Sequence, residues 1–430
     1  MKQEKYEKEL IKFIQKGSCS FTVIKEIKTQ LTNLHYHELL ENETWHLKPG
    51  KFFVIRNDAS LIAFQIGQET PYNFNIVTTH SDTPALALKP LNENFENGYL
   101  KLNVAPYGGL LNYGWLDRPL SIAGKIIIQK ENSYYSKIID LEEPLLVIPS
   151  VAIHQNAKAN TNLNINSQID LLPIIHLEED KDIIRKLIHQ KYKIPKSQID
   201  DYDLLLYTKE DSLLIGAEKD ILLSPRIDNL TSTFAALEGL LSAKQEKNIN
   251  IFCCFNSEEI GSLTMEGADS NFLLDTLKKI AASLEIDITT SLSNSFIISS
   301  DNTHAVHPNH PDLSDITNKI YLNKGIVISK EPMSTTTALS STIFKNICQK
   351  AKVPYQNGTN RNDTTSGSTL SGLSLRHVSS TSIDIGLAQL AMHSSMETVG
   401  MKDCYYLYKA LKQFYNTNIE HHKKSTKLNF

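Results

Sequence analysis

Three apolar runs each end in residues that bind metal or move protons. They are Asn75-Ile76-Val77-Thr78-Thr79-His80-Ser81-Asp82, Ile251-Phe252-Cys253-Cys254-Phe255-Asn256-Ser257-Glu258-Glu259 and Phe296-Ile297-Ile298-Ser299-Ser300-Asp301. Imidazole and carboxylate together make a donor set for a divalent ion, and either can act as a general base. Asp82 lies two residues after His80, on the same face of an extended segment, and could accept its ring N–H and fix its tautomer. Glu258 and Glu259 would repel each other in a closed site unless compensated. A metal on one relieves the repulsion and leaves the other to take a proton from water. Asp228, in Ser224-Pro225-Arg226-Ile227-Asp228-Asn229, and His393, in Leu390-Ala391-Met392-His393-Ser394, are further candidates. Each has a bland reading when taken alone. His80 and Asp82 could be a surface pair, Glu258 and Glu259 a solvated loop start, Asp228 a helix cap and His393 a satisfied core histidine.

The three runs read as buried strands of a parallel sheet, with the ligand crevice beyond their carboxyl ends. Helical spacing places Tyr6, Leu10, Phe13 and Ile14 on one face of a helix over 2–16, and Ile24, Ile27, Leu31 and Leu34 on a second. Strands are expected at Phe52–Ile55, Leu61–Ile66 and Phe74–Thr79. After about Leu88 the texture changes to short strands at Tyr99–Val104, Ile122–Gln129, Tyr134–Ile139, Leu145–Ile148, Leu204–Tyr207 and Leu213–Ile215. One helix near Asp180–Gln190 interrupts them. The polar stretch Gln155–Gln168 reads as a long exposed loop. The α/β pattern resumes at Ser224, with a helix carrying Leu230, Phe234, Leu237 and Leu241, and ends in a helix carrying Tyr408, Leu411 and Phe414. The expected fold is α/β, a mixed, mostly parallel sheet with helices on both faces. Its catalytic domain is split between 1–88 and 225–430, and a β-rich dimerisation or oligomerisation domain is inserted at 89–224.

Bulk composition narrows the function classes. The 430 residues carry a formal net charge of -4, which leaves no strong electrostatic footprint for nucleic acid. No apolar run is long enough to span a membrane, and the charged N-terminus lacks the apolar core of a secretory signal. Cys19, Cys253, Cys254, Cys348 and Cys404 form no CxxC and read as small buried hydrophobes in a reducing cytoplasm. There is no Gly-x-Ser-x-Gly, GxxxxGK[ST], GxGxxG or HExxH. The Ser-, Thr- and Gly-rich stretch Gly358–Gly372 suits a substrate-binding or structural loop better than a phosphate cradle.

Taken in order, the motifs resemble those of the aspartyl aminopeptidase/aminopeptidase I family. They are Thr79-His80-Ser81-Asp82, Ser224-Pro225-Arg226-Ile227-Asp228-Asn229-Leu230, Ser257-Glu258-Glu259-Ile260-Gly261-Ser262, Ser300-Asp301 with His304-Ala305-Val306-His307-Pro308-Asn309, and Gln389-Leu390-Ala391-Met392-His393-Ser394. Leu116-Asp117-Arg118-Pro119-Leu120 and Arg361-Asn362-Asp363 join them, and the resemblance runs from about residue 20 to the C-terminus. It implies two zinc ions per subunit, replaceable by cobalt or manganese. His80 and Asp301 would bind one, Glu259 and His393 the other, and Asp228 both. Glu258 would be the general base and Asp82 the partner behind the first histidine. The implied reaction is hydrolysis of the N-terminal residue from peptides by zinc-activated water. His154 would reach a neighbouring subunit's site to bind substrate, or on an older reading bind zinc; a surface loop histidine is the bland alternative. His304 would contact substrate. The implied assembly is a homo-oligomer, a dodecamer built from dimers.

One departure bears on specificity. Acidic-preferring relatives close a Lys-Gly-x-Val-Ile-Lys stretch with lysine. Here Lys324-Gly325-Ile326-Val327-Ile328 is followed by Ser329, with Lys330 one place later. A one-residue slip along a strand reverses the face, so acidic and neutral N-terminal residues both stay open. So do two other functions. A related di-zinc carboxypeptidase or amide deacylase would trim or cut elsewhere, and a catalytically silent oligomeric shell would hold no metal.

Overall fold

The computed structural model describes residues 1–70, 72–244, 247–364 and 370–430. Helices α1 (Gln3–Lys16) and α2 (Ser20–Asn33) lead into strands β1 (His37–Leu39), β2 (Gly50–Arg56), β3 (Ser60–Ile66) and β4 (Phe74–His80). The middle of the chain holds β5 (Ala85–Glu96), β6 (Tyr99–Tyr107), β7 (Leu120–Lys130), β8 (Ser133–Asp140), β9 (Ile174–His176), helix α3 (Ile183–Tyr192) and β10 (Ile199–Thr208). Then come β11 (Leu213–Ile215), β12 (Ile221–Ser224), α4 (Ile227–Leu241), β13 (Ile249–Phe255), α5 (Phe272–Ser283), α6 (Ile288–Ser293), β14 (Phe296–Ser300) and β15 (Thr303–His304). The last part comprises β16 (Ile326–Ser329), α7 (Ala338–Ala351), β17 (Tyr355–Gly358), α8 (Leu370–Ser374), β18 (Thr381–Gly386), β19 (Ala388–Leu390), β20 (Glu397–Gly400), α9 (Met401–Tyr415), β21 (Asn418–His422) and β22 (Ser425–Asn429).

Nine strands form the main sheet in the order β1-β2-β3-β13-β4-β14-β18-β16-β17. Its centre, β13-β4-β14-β18, is parallel throughout. β3 and β16 run antiparallel to that centre, so the fold is mixed α/β. Burial on both faces explains the unbroken apolar runs. Along β13, Phe252 and Cys254 enter the core shared with α1, α2, α4, α7 and α9, while Ile251, Cys253 and Phe255 enter the core shared with α5 and α8. The adjacent cysteines thus fill opposite cores, and all five cysteines are free and buried. Register aligns Phe255 with His80, so the ends of β4 and β13 are level and their loops leave the sheet side by side.

A six-stranded antiparallel sheet, β8-β7-β10-β5-β6-β9, has its own apolar core under α3. Its first strand starts at Ala85, within four residues of Asp82 in the chain. β5 was not expected from the sequence. Its outer half is mostly exposed and mixes polar residues with Leu91 and Phe95, its pairing is irregular between Leu88 and Glu93, and Pro90 sits at that bulge. The expected strand at Leu145–Ile148 is instead extended chain with isolated bridges at Leu146 and Val147. β11, expected with the middle segment, pairs with β12 in the five-stranded sheet β11-β12-β20-β19-β15. The Gln155–Gln168 stretch is turns and extended chain, largely exposed. Part of Gly358–Gly372 lies outside the described residues. No helix among the described residues is long and apolar enough to cross a membrane.

Candidate active site

His80 ends β4 and is buried. Thr233 of α4 donates to its carbonyl at 2.8 Å, which pins the strand end. Its Nδ1 lies 3.0 Å from the backbone carbonyl of Asp82. A carbonyl only accepts, so Nδ1 carries the proton and Nε2 presents its lone pair. That lone pair faces Asp228 Oδ1 at 3.5 Å and Asp301 Oδ1 at 3.4 Å. His393 repeats the arrangement. Its Nδ1 is 2.9 Å from the Gly109 carbonyl, and its Nε2 faces Asp228 Oδ2 at 3.6 Å and Glu259 Oε2 at 3.3 Å. Asp228 therefore turns one oxygen to each histidine.

Lone pairs confronting carboxylates in a buried place need a positive charge between them, whether protons on the rings or metal ions. Without a metal the strain appears in the proton affinities. Burial opposes charging His80, yet the carboxylates of Asp301, Asp228 and Asp82 close to its ring raise its pKa well above the ordinary value. Burial pushes the Glu258 carboxyl up to about 8, with Asp301, Asp82 and Asp228 adding to the rise. Glu259 is raised well above its usual range by burial and by Asp228. Asp228 is the exception: burial would raise it, but the His393 and His80 rings facing its two oxygens hold it well below. Asp228 Oδ1 and Glu259 Oε1 are buried and have no hydrogen-bond partner among the described residues. Ligand atoms of His80, Asp228 and Glu259, and of His80, Glu258 and Asp301, lie within 4.8 Å of one another. The donor set of imidazole and carboxylate, with orphaned oxygens aimed inward, fits zinc.

Local structure explains how the sequence reaches this geometry. Asp228 and Asn229 have non-helical backbone angles at the start of α4, so the Asp228 carboxylate does not cap the helix but turns to the histidines. Asn229 Nδ2 donates to the Ser300 carbonyl at 2.8 Å, and Asn302 Nδ2 to the Ile227 carbonyl at 3.2 Å, tying this turn to the end of β14 where Asp301 sits. Gly108 has φ +75, and a Cβ there would lie 3.0 Å from Glu259 Cβ; the strand end must pass that close for Gly109 to reach His393. A Cβ on Gly386 would meet the Asp301 carbonyl oxygen at 1.7 Å, so only glycine lets β18 pass beneath Asp301.

Asp82 differs from its expected role. Its backbone carbonyl, not its carboxylate, is the nearer partner of His80; the carboxylate oxygen is 3.5 Å away. The carboxylate instead accepts the N–H of Glu258 at 3.3 Å and of Glu259 at 3.2 Å, and the Tyr107 hydroxyl at 2.8 Å. It fastens the turn that aims the glutamate pair. The sequence reading also missed Glu397, a buried residue of β20. Its Oε2 accepts the Asp228 N–H at 3.0 Å and its Oε1 the His393 N–H at 2.7 Å. No local signal marks it beyond its position four residues after His393.

Asp228, Glu258, Glu259, Asp301, His304 and His393 all line one cleft of about 230 Å³, and His80 and Asp82 lie buried against its floor. His154 is not there. It is exposed on the 151–170 stretch and lines no part of this cleft within the single chain.

A family model described as aminopeptidase I zinc metalloprotease (M18) matches residues 13–415. A protein of Clostridium novyi (strain NT), described as a probable M18 family aminopeptidase 2, is 40% identical over 427 residues, 96% of this chain and 99% of its own length. The cryo-EM structure of the Ape4 and Nbr1 complex matches with a TM-score of 0.92 and 30% identity, covering 96% of this chain and 86% of that one. The crystal structure of prApe1 matches with a TM-score of 0.89 and 26% identity, covering 95% and 94%. The chain belongs to the aminopeptidase I family of zinc metalloproteases and is a zinc-dependent aminopeptidase.

Proposed function

We propose that the cleft holds two zinc ions and releases the N-terminal residue of peptides, with Glu258 as general base. One observation carries this: Asp228 turns its two oxygens to two different histidines, each of which faces one further carboxylate. His80 and Asp301 would hold one ion, His393 and Glu259 the other, and Asp228 would contribute an oxygen to each. Cobalt or manganese could occupy the same donors, because selectivity depends on availability as well as ligands. Zinc, when bound, supplies Lewis-acid polarisation of the scissile carbonyl and makes a nearby water more acidic.

The chain's own groups do the rest. His80 and His393 are held with Nε2 inward by their Nδ1 hydrogen bonds to backbone carbonyls. Asp82 orients both glutamates through their N–H groups. Glu258, not needed as a ligand, takes the proton of the attacking water and returns it to the leaving amine. Its proton affinity, raised to about 8 without cations, falls when cations compensate the cluster, which suits a base at neutral pH. His304 lines the cleft where substrate would lie.

His154 is read as serving a neighbouring subunit. Its chain neighbours Val151 and Ile153 are exposed apolar residues, at 57% and 49% exposure, which favours burial between copies of the chain. The family resemblance extends that contact to a dodecamer built from dimers. The buried, unpaired cysteines support a reducing compartment such as the cytoplasm.

The test uses peptides blocked at one end and protein of measured metal content. Expected are two zinc ions per chain, and release of the N-terminal residue from peptides amidated at the C-terminus but none from N-acetylated ones. A chelator should abolish release and zinc restore it. Trimming from the C-terminus, or cleavage of the acetyl group, would favour the carboxypeptidase or deacylase reading instead.

A further inference from the structure

The cleft continues past the carboxylate–histidine cluster along the end of β16. Ser329 closes that strand and lines the cleft, as does Glu331 two residues later. Lys330, between them, is exposed and does not line it. Alternate residues of extended chain face opposite ways, which accounts for the difference. Among the described residues, no lysine or arginine lines this cleft.

The Glu331 carboxylate is fixed in place. Asn360 Nδ2 donates to both of its oxygens, at 3.3 and 3.2 Å. Its own N–H donates to Ser334 Oγ at 3.1 Å, and that hydroxyl donates back to its carbonyl at 3.0 Å. Among the described residues no cationic side chain pairs with it. Met333, Ile385 and Met392 supply apolar surface in the same cleft. A carboxylate held by an amide beside apolar surface suits a long aliphatic stem that ends in a cation, because such a side chain covers the apolar part and keeps its charge at the polar end. An acidic side chain meets a like charge there, with no lysine or arginine among the described lining residues to offset it.

We propose that Glu331 sets the preference for the N-terminal residue, favouring lysine and arginine over aspartate and glutamate. This rests on the reading above that the N-terminal residue is the one released, and it takes that residue's side chain to enter the β16 half of the cleft.

The experiment is a panel of aminoacyl amides with a chromogenic leaving amine, carrying Lys, Arg, Leu, Ala, Asp or Glu, assayed with zinc-loaded protein. Lysine and arginine substrates are expected to show higher kcat/KM than the acidic ones. Glu331→Gln should lower the Lys-to-Leu ratio about tenfold, the factor that corresponds to 1.4 kcal/mol. Glu331→Lys should shift the preference towards Asp and Glu. A merely structural role would slow all six substrates alike and leave the ratio unmoved, and that result overturns the proposal. So does wild-type protein that cleaves acidic substrates as fast as basic ones. No release from any substrate overturns both this proposal and the reading beneath it, whereas cleavage with an unmoved ratio overturns this one alone.

Discussion

Glu258 and Glu259 are chemically identical neighbours, and their surroundings divide the labour between them. Glu259 Oε2 faces the His393 ring at 3.3 Å, while its other oxygen is buried and unpartnered. Glu258 lies nearer the His80 side, where burial and three carboxylates raise its proton affinity. The proposed base is thus distinguished from the proposed ligand by a turn of one residue, which Asp82 holds through two N–H groups. Glu258→Gln keeps the size and the turn but cannot take a proton. Its expected cost is about 10²–10⁴ in kcat, the usual range for a general base, with zinc content by elemental analysis unchanged. Undiminished turnover would remove Glu258 from the role. The glutamate pair was legible in the sequence because it followed an apolar strand. Which glutamate does which was not, because adjacent residues differ only in what the rest of the chain brings to them.

The site is assembled from the ends of elements. β4, β13 and β14 run parallel in one register, so His80, the glutamate turn and Asp301 emerge on one edge of the sheet. Asp228 and His393 come from elsewhere: the start of α4 and the loop between β19 and β20. Glu397 joins these two, accepting one backbone N–H from each. Glu397→Ala would leave unpaired the buried Asp228 N–H, at a cost of about 1–3 kcal/mol, and the partly buried His393 N–H. The variant should unfold at lower denaturant concentration and also lose zinc more readily in a competition with a chelator. Retained zinc affinity together with lowered stability would limit Glu397 to a structural role. The sequence missed Glu397 because its partners are backbone amides, which carry no side-chain signature. It missed β5 because most of that strand beyond Leu86 is only partly buried or exposed, so no long apolar run announces it.

At the scale of the molecule, the single chain leaves His154 outside the cleft it is proposed to serve. If a neighbouring copy supplies it, two defective proteins should repair each other. Glu258→Gln has an intact His154 but no base, and His154→Ala has an intact base. Co-expressed, they should give activity well above the sum of the two alone, with hybrid assemblies visible by native mass spectrometry. No gain over the sum would place His154 outside its neighbour's site. What the sequence by itself determined was local and periodic: strands buried on both faces, helices with one apolar side, and the donors at their ends. The ordered motifs were specific enough to carry the family resemblance, which the whole-chain comparisons bear out. Only the tertiary structure decided the pairings. Asp228 faces two histidines, the Asp82 carbonyl rather than its carboxylate is nearest the His80 ring, and Ser329 and Glu331 rather than Lys330 line the cleft. The physical reason is that hydrophobic periodicity is read along the chain, whereas the direction of a lone pair depends on distant groups such as the Gly109 carbonyl, 284 positions from His393.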